Sequence, residues 1–114
     1  MILAIQGTRT FDDYSVFLRA MFTALTMKAS EDKEFVIYTA GPLRINQMTE
    51  EYINVSNFRA RGIKARFLKV TEQFIRERID SVDYVVYFCS KGEPFGSILD
   101  YAEEHNVENA IYRF

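Results

Sequence analysis

Two runs of this chain, Phe35-Val36-Ile37-Tyr38-Thr39 and Tyr84-Val85-Val86-Tyr87-Phe88-Cys89, are apolar on both faces of an extended backbone. A strand with one face in water alternates apolar and polar side chains, whereas a strand covered by helices on both sides has no polar face to show. These two runs therefore read as central strands of a helix-covered sheet. Three shorter runs read as strands beside them: Ile2 to Gln6, Lys64 to Val70, and Ala110 to Phe114. Amphipathic segments alternate with the five, which is the pattern of an α/β domain with a mainly parallel sheet.

The first helical segment starts near Asp12, a good N-cap, and places Val16, Phe17, Ala20, Met21, Ala24 and Leu25 on one stripe. It fades at Ser30-Glu31-Asp32-Lys33, an exposed connection. The second runs from about Asn46 to Arg61 with Gly62 as its stop, the third starts at Thr71 and carries Phe74, Ile75, Ile79 and Val82, and the fourth runs from Ser97 to about His105. No repeat or Pro/Gly/Ser-rich linker divides the chain, so residues 1–114 read as one domain. Right-handed crossovers give the sheet order 3-2-1-4-5. In that order ligands bind outside the carboxyl ends of strands 1 and 4, where the connectivity reverses.

The two loops predicted to meet there are Gly7-Thr8-Arg9 and Ser90-Lys91-Gly92-Glu93-Pro94-Phe95-Gly96-Ser97. Gly7 permits close approach, Thr8 supplies a hydroxyl, and Arg9 presents a planar fork to phosphate oxygens, although Gly7 could simply end the strand and Arg9 be solvated. Gly96 and Ser97 open the fourth helix, whose first amides and positive dipole end would face the crevice; Ser97 could equally be an N-cap. Asp100, one turn on, is the best-placed carboxylate for acid/base work or for ribose hydroxyls, and exposed helix carboxylates are common. Gly41 and Arg44, after strand 2, would form a side wall, with Arg44 reaching a second phosphate or simply exposed. Phe11, Tyr14 and Phe95 sit where they could stack on a base. Cys89 reads as a small buried hydrophobe, and His105 as a partner of its helix dipole.

Composition narrows the partners. Fourteen basic residues against 16 acidic ones give a formal net charge of -2, which supplies no overall attraction to a nucleic-acid backbone, so broad nucleic-acid binding is not expected. A single Cys and a single His are too few for a His/Cys zinc site, and the lone Cys89 fits a reducing compartment. The opening residues lack the basic flank of a signal peptide, and no apolar run approaches the ~20 residues of a membrane span, so a cytoplasmic protein is expected. Open sheet edges and many aromatics make a homo-oligomer plausible. No cofactor is expected.

Ile2-Leu-Ala-Ile-Gln-Gly-Thr-Arg-Thr-Phe-Asp-Asp-Tyr14 resembles the opening of the YpsA-related branch of the SLOG superfamily, which has a strand, Gly-Ser-Arg, an aromatic residue and Asp-Tyr. Gly7, Thr8, Arg9, Phe11, Asp13 and Tyr14 fall on that motif, with Thr8 at the serine. At the family's second glycine motif this chain keeps Gly41 and has Asn46 at the acidic position. At the third, Gly96-Ser97-Ile98-Leu99-Asp100 keeps the family's spacing, with Ser for Thr and Asp for Glu. The resemblance implies a single Rossmann-like three-layer domain that binds a nucleotide. Relatives include the lonely-guy phosphoribohydrolases, which cleave the N-glycosidic bond of nucleoside monophosphates. Separately, Val36-Ile37-Tyr38-Thr39-Ala40-Gly41-Pro42 looks like the strand-loop signature of nucleoside deoxyribosyltransferases, which opens the domain in that family and follows a strand and helix here.

Three functions fit these residues. The first is a sensor or binding module for a nucleotide or nucleotide-derived ligand. The second is an N-glycoside hydrolase or transferase, with Arg9 on the phosphate and Asp100 stabilising a ribosyl cation. The third is a protein-interaction domain that has lost the ligand. Fold alone does not separate them.

Overall fold

Both faces of the β4 strand (Tyr84–Cys89) are buried along its whole length, as its composition requires. The computed structural model describes residues 1–28, 33–94 and 96–113; the connection expected at Ser30-Glu31-Asp32, the ring of Phe95 and the end of the fifth run at Phe114 lie outside the described residues. β4 pairs with β1 (Ile2–Gly7) on one side and β5 (Glu108–Arg113) on the other. β1 in turn pairs with β2 (Glu34–Thr39), and β2 with the edge strand β3 (Lys64–Lys69). The order is β3-β2-β1-β4-β5 and every pairing is parallel, as the crossover rule predicts.

Parallel neighbours need crossovers, and each crossover here carries a helix. α1 (Tyr14–Lys28) and α2 (Leu43–Val55) cover one face; α3 (Glu72–Glu77) and α4 (Ser97–Glu104) cover the other. Strand alternation sorts the core between them. Leu3, Ile5, Val86 and Phe88 pack with Phe17, Met21, Ile45 and Met48, while Ala4, Val85, Tyr87 and Cys89 pack with Ile75, Ile98 and Leu99. Burying each large apolar side chain contributes ~1.5–3 kcal/mol, so the two cores fix the register of the central strands. The first aligns Ile5 with Val86 and Gly7 with Phe88.

Several boundaries differ from expectation, each for a local reason. α1 begins at Tyr14 because Asp13, not Asp12, caps it: the Asp13 carboxylate accepts the Val16 N–H at 3.1 Å and the Ser15 hydroxyl at 2.7 Å. Those bonds, the Ser15 one foremost, hold the Asp13 carboxyl below its ordinary value. α2 starts at Leu43 and ends at Val55, short of Arg61. Asn57 turns into the left-handed region at φ 52, and a separate 3-10 turn, Phe58–Arg61, follows. Gly62, at φ 73, stops that turn and not the helix. The third segment likewise divides, into α3 and a 3-10 turn at Ile79–Ser81. β5 starts at Glu108, two residues early.

Candidate functional site

The end of β1 and the end of β4 are joined by a short chain of hydroxyls. Thr8 and Ser90 share a hydrogen bond of 2.9 Å between their hydroxyls, and the Ser90 N–H donates to Thr8 Oγ1 at 3.1 Å. Thr10 closes on Ser90 from the solvent side and donates to the Glu93 carboxylate at 3.4 Å. The β4 loop is itself folded back: Glu93 N–H donates to Ser90 C=O at 3.0 Å across Gly92, at φ 86, and the Cys89 thiol donates to Glu93 C=O at 2.9 Å. The two loops predicted to converge do so. Thr8 is 7% exposed, so these bonds form in a partly dehydrated site where leaving a donor unmatched costs ~1–3 kcal/mol.

The amides that lead into this crevice divide into two groups. Those of Gly7 and Thr8 are occupied, donating to Gly41 C=O at 3.1 Å and Phe88 C=O at 2.9 Å, so they are not offered to a ligand. Gly7 serves packing: a Cβ there would stand 2.9 Å from Ile45 Cδ1 and 2.9 Å from Phe88 O. Gly41, at φ 85, places its carbonyl to receive Gly7 and thereby sets the end of β1. Among the described residues no hydrogen-bond partner takes the amides of Leu43 and Arg44 in the first turn of α2, or those of Ser97 and Ile98 in α4, and neither helix has a side-chain cap. α1 and α3, by contrast, are capped by Asp13 and by Thr71, whose hydroxyl accepts Phe74 N–H at 3.1 Å. Both uncapped helices start at the carboxyl edge of the sheet, beside the β1–β4 junction.

Gly96 lets α4 sit close to the sheet. A Cβ at Gly96 would lie 3.0 Å from both Gln6 Oε1 and Tyr87 Cε2. Gln6 Oε1 is buried with no hydrogen-bond partner among the described residues. Burial, foremost, lifts the Tyr87 phenol above its ordinary value, with Cys89, Glu72 and Glu93 adding to the rise while a backbone hydrogen bond from Gly96 opposes it. The Ser97 hydroxyl is not a cap; it donates to Glu72 Oε1 at 2.6 Å and ties α4 to α3.

The side chains expected to contact a ligand fare unequally. Arg9 is exposed and has no ion pair or hydrogen bond among the described residues. Arg44 is engaged: its Nε donates to Asp12 Oδ1 at 2.6 Å, an exposed pair that bridges the loop after β1 and the first turn of α2. Phe11 is fully buried and stacked on Phe88 at 4.7 Å, so base stacking by Phe11 is corrected to a core role. Tyr14 is half-buried and stacks on Phe17 at 6.0 Å, with its hydroxyl buried and without a hydrogen-bond partner among the described residues; Phe95 lies outside the described residues. Asp100 is exposed on the side of α4 opposite Ile98, Leu99 and Ala102, and among the described residues no hydrogen bond or ion pair ties it to the crevice. Among the described residues no group of three or more His, Cys, Asp or Glu side chains could hold a metal ion, and no helix is long and apolar enough to cross a membrane.

Ser90, Thr10, Glu93, Glu72 and Gln6 build the site without having been singled out from sequence. Only the Ser90-to-Ser97 loop pointed at two of them, and alternation along β1 and β4 placed Gln6 and Tyr87 as ordinary sheet positions. The parallel order β3-β2-β1-β4-β5 with helices on both faces defines a Rossmann-like α/β domain. No protein-family model matches the chain, and no curated protein matches it as a relative.

Proposed function

We propose that the crevice at the carboxyl ends of β1 and β4 binds a nucleotide or nucleotide-derived small molecule, as a sensor or binding module. The observation that carries this reading is the convergence of the two loops through Thr8 and Ser90 beside two helix N-termini whose first amides have no partner among the described residues. Such amides, with the positive end of the helix dipole, favour an anion. Arg9, an exposed guanidinium at that rim with no ion pair among the described residues, takes the phosphate in a two-pronged contact. Glu93 borders the site beside Thr10, and Glu72 beside Ser97. Their carboxylates supply acceptors suited to ribose hydroxyls. The resemblance of residues 2–14 to the YpsA-related SLOG opening supports the same ligand class. With Asp100 on the outer side of α4, the reading stops at binding.

Isothermal titration of AMP, GMP and ribose 5-phosphate tests it. Heat with at least one of these, weakened on the order of ten- to a hundred-fold by Arg9→Ala, is expected from the loss of a charge-assisted contact. An intact fold with no heat and no thermal shift for any of the three, or affinity indifferent to Arg9→Ala, counts against the site.

A further inference from the structure

A second recess lies at the other end of the sheet. A cavity of about 870 Å³ opens between the last turn of α2, the 3-10 turn Phe58–Arg61 and the start of β3. Its polar and charged lining is three cations, Arg59, Lys64 and Arg66, against one carboxylate, Glu34, with Asn54 and Asn57 beside them and Phe58 among the apolar walls. Residues 58–69 hold five of the chain's 14 basic residues and none of its 16 acidic ones, leaving nine basic against 16 acidic elsewhere. Arg61 lies over the Phe58 ring. Arg59, Lys64, Arg66 and Lys69 are exposed and have no ion-pair partner among the described residues. An acidic protein has concentrated cations on one edge.

That edge is also an open strand. Lys64 N–H donates to Lys33 C=O at 2.8 Å and Val70 N–H to Thr39 C=O at 2.9 Å, so the even-numbered amides of β3 face β2. Those of Ala65, Phe67 and Lys69 therefore point away from the sheet, and Lys64 and Arg66 project together from one face. Edge lysines ordinarily deter pairing with other strands. The deterrent is selective: it repels a neutral or basic strand through desolvation and like charge, and attracts an acidic one.

We propose that β3 and the recess beside it dock an acidic, extended segment of another polypeptide, which adds to the sheet as a sixth strand. The incoming backbone pairs with the outward N–H and C=O groups of Ala65 and Phe67. Carboxylates at alternate positions of the segment meet Lys64 and Arg66, and the intervening side chains enter the recess against Asn54 and Phe58. This site is separate from the nucleotide crevice and stands independently of it.

The test is fluorescence anisotropy with a fluorescein-labelled, N-acetylated peptide of alternating Glu and Val, six residues long, added to the full chain. Saturable binding is expected, lost when Lys64 and Arg66 are both changed to Glu and absent for the matching Lys/Val peptide. Ala65→Pro removes an outward N–H and leaves the β2 ladder intact, so it should weaken binding on the order of ten-fold. Should Ala65→Pro fail to fold, the wild-type protein with a peptide N-methylated at alternate residues asks the same question and should show the same loss. The proposal is overturned if the peptide does not bind, or if neither backbone change alters its affinity. It is equally overturned if pyrophosphate or a single-stranded oligonucleotide displaces the peptide and binds as tightly, which would make the edge a general anion surface. Self-association abolished by the same Lys64/Arg66 reversal, with no affinity for the peptide, would assign the edge to a second copy of this chain and also refute it.

Discussion

Replacing Gly7 by alanine should unfold this domain more readily, and the size of the effect can be worked out from its surroundings. The added methyl would sit 2.9 Å from Phe88 O, 2.9 Å from Ile45 Cδ1 and 3.1 Å from Phe88 Cβ. Phe88 O cannot withdraw freely because it accepts the Thr8 N–H at 2.9 Å, and Phe88 itself is packed between Phe11 and Phe17. Overpacking of this kind costs ~1–3 kcal/mol, and two fixed contacts put Gly7→Ala near the top of that range. The alanine restricts the unfolded chain and recovers ~0.4–1 kcal/mol, leaving a net loss of about 2 kcal/mol. Urea unfolding followed by circular dichroism should show the midpoint fall by roughly 1 M with an unchanged slope. Ile45→Val deletes one clashing atom; alone it should cost ~0.5–1.5 kcal/mol, and measurably less in the Gly7→Ala background. A Gly7→Ala protein as stable as the parent, or additive costs in the double variant, would refute the reasoning.

Three further outcomes are expected. Phe11→Ala should lower stability by ~3–5 kcal/mol in the same urea assay, because the ring is core and stacked on Phe88. A change confined to ligand affinity would mean that the ring faces the crevice. Thr8→Val strips the Ser90 N–H of its acceptor and should cost ~1–3 kcal/mol, with faster amide hydrogen exchange at Ser90 as its local signature. Burial raises the phenol of Tyr52 to about 12 and those of Tyr14, Tyr84 and Tyr87 above their ordinary 10. Their contribution to stability is therefore complete below about pH 10 and is lost as pH climbs from 10 toward 12, since the unfolded chain releases these protons first. Urea midpoints that stay level from pH 9 to 11.5, or tyrosinate absorbance rising without any loss of fold, would contradict that sign.

The sheet was legible because its signal is physical and local. Tyr84 to Cys89 has no polar face, so it had to be central, and right-handed crossovers then leave few orders for five parallel strands. Element ends were harder to place. Asp12 and Asp13 are equivalent caps on paper, and only the direction of the backbone selects Asp13; Asn57 is an ordinary helical residue until the chain turns left-handed there. At the site, the meeting of the two loops followed from topology, but which polar groups face each other did not. Gly7 looked like an anion-binding glycine and is a packing glycine, a difference that depends on Ile45 and Phe88, far away in sequence. Phe11 lies in a loop, where an aromatic ring reads as available, yet the strand below it carries Phe88 at stacking distance. Arg44 and Asp12 are 32 residues apart, and nothing in their local sequence announces the pair.

The proposed nucleotide site is tested most directly by titrating the 15N-labelled protein with AMP and following its amide resonances. The largest shifts should fall on Arg9, on Leu43 and Arg44, and on Ser97 and Ile98, with Arg9→Ala reducing all of them together. Shifts concentrated instead on Asn57 to Arg66, or none at millimolar nucleotide, would contradict the assignment of the β1–β4 crevice as the place where the ligand binds.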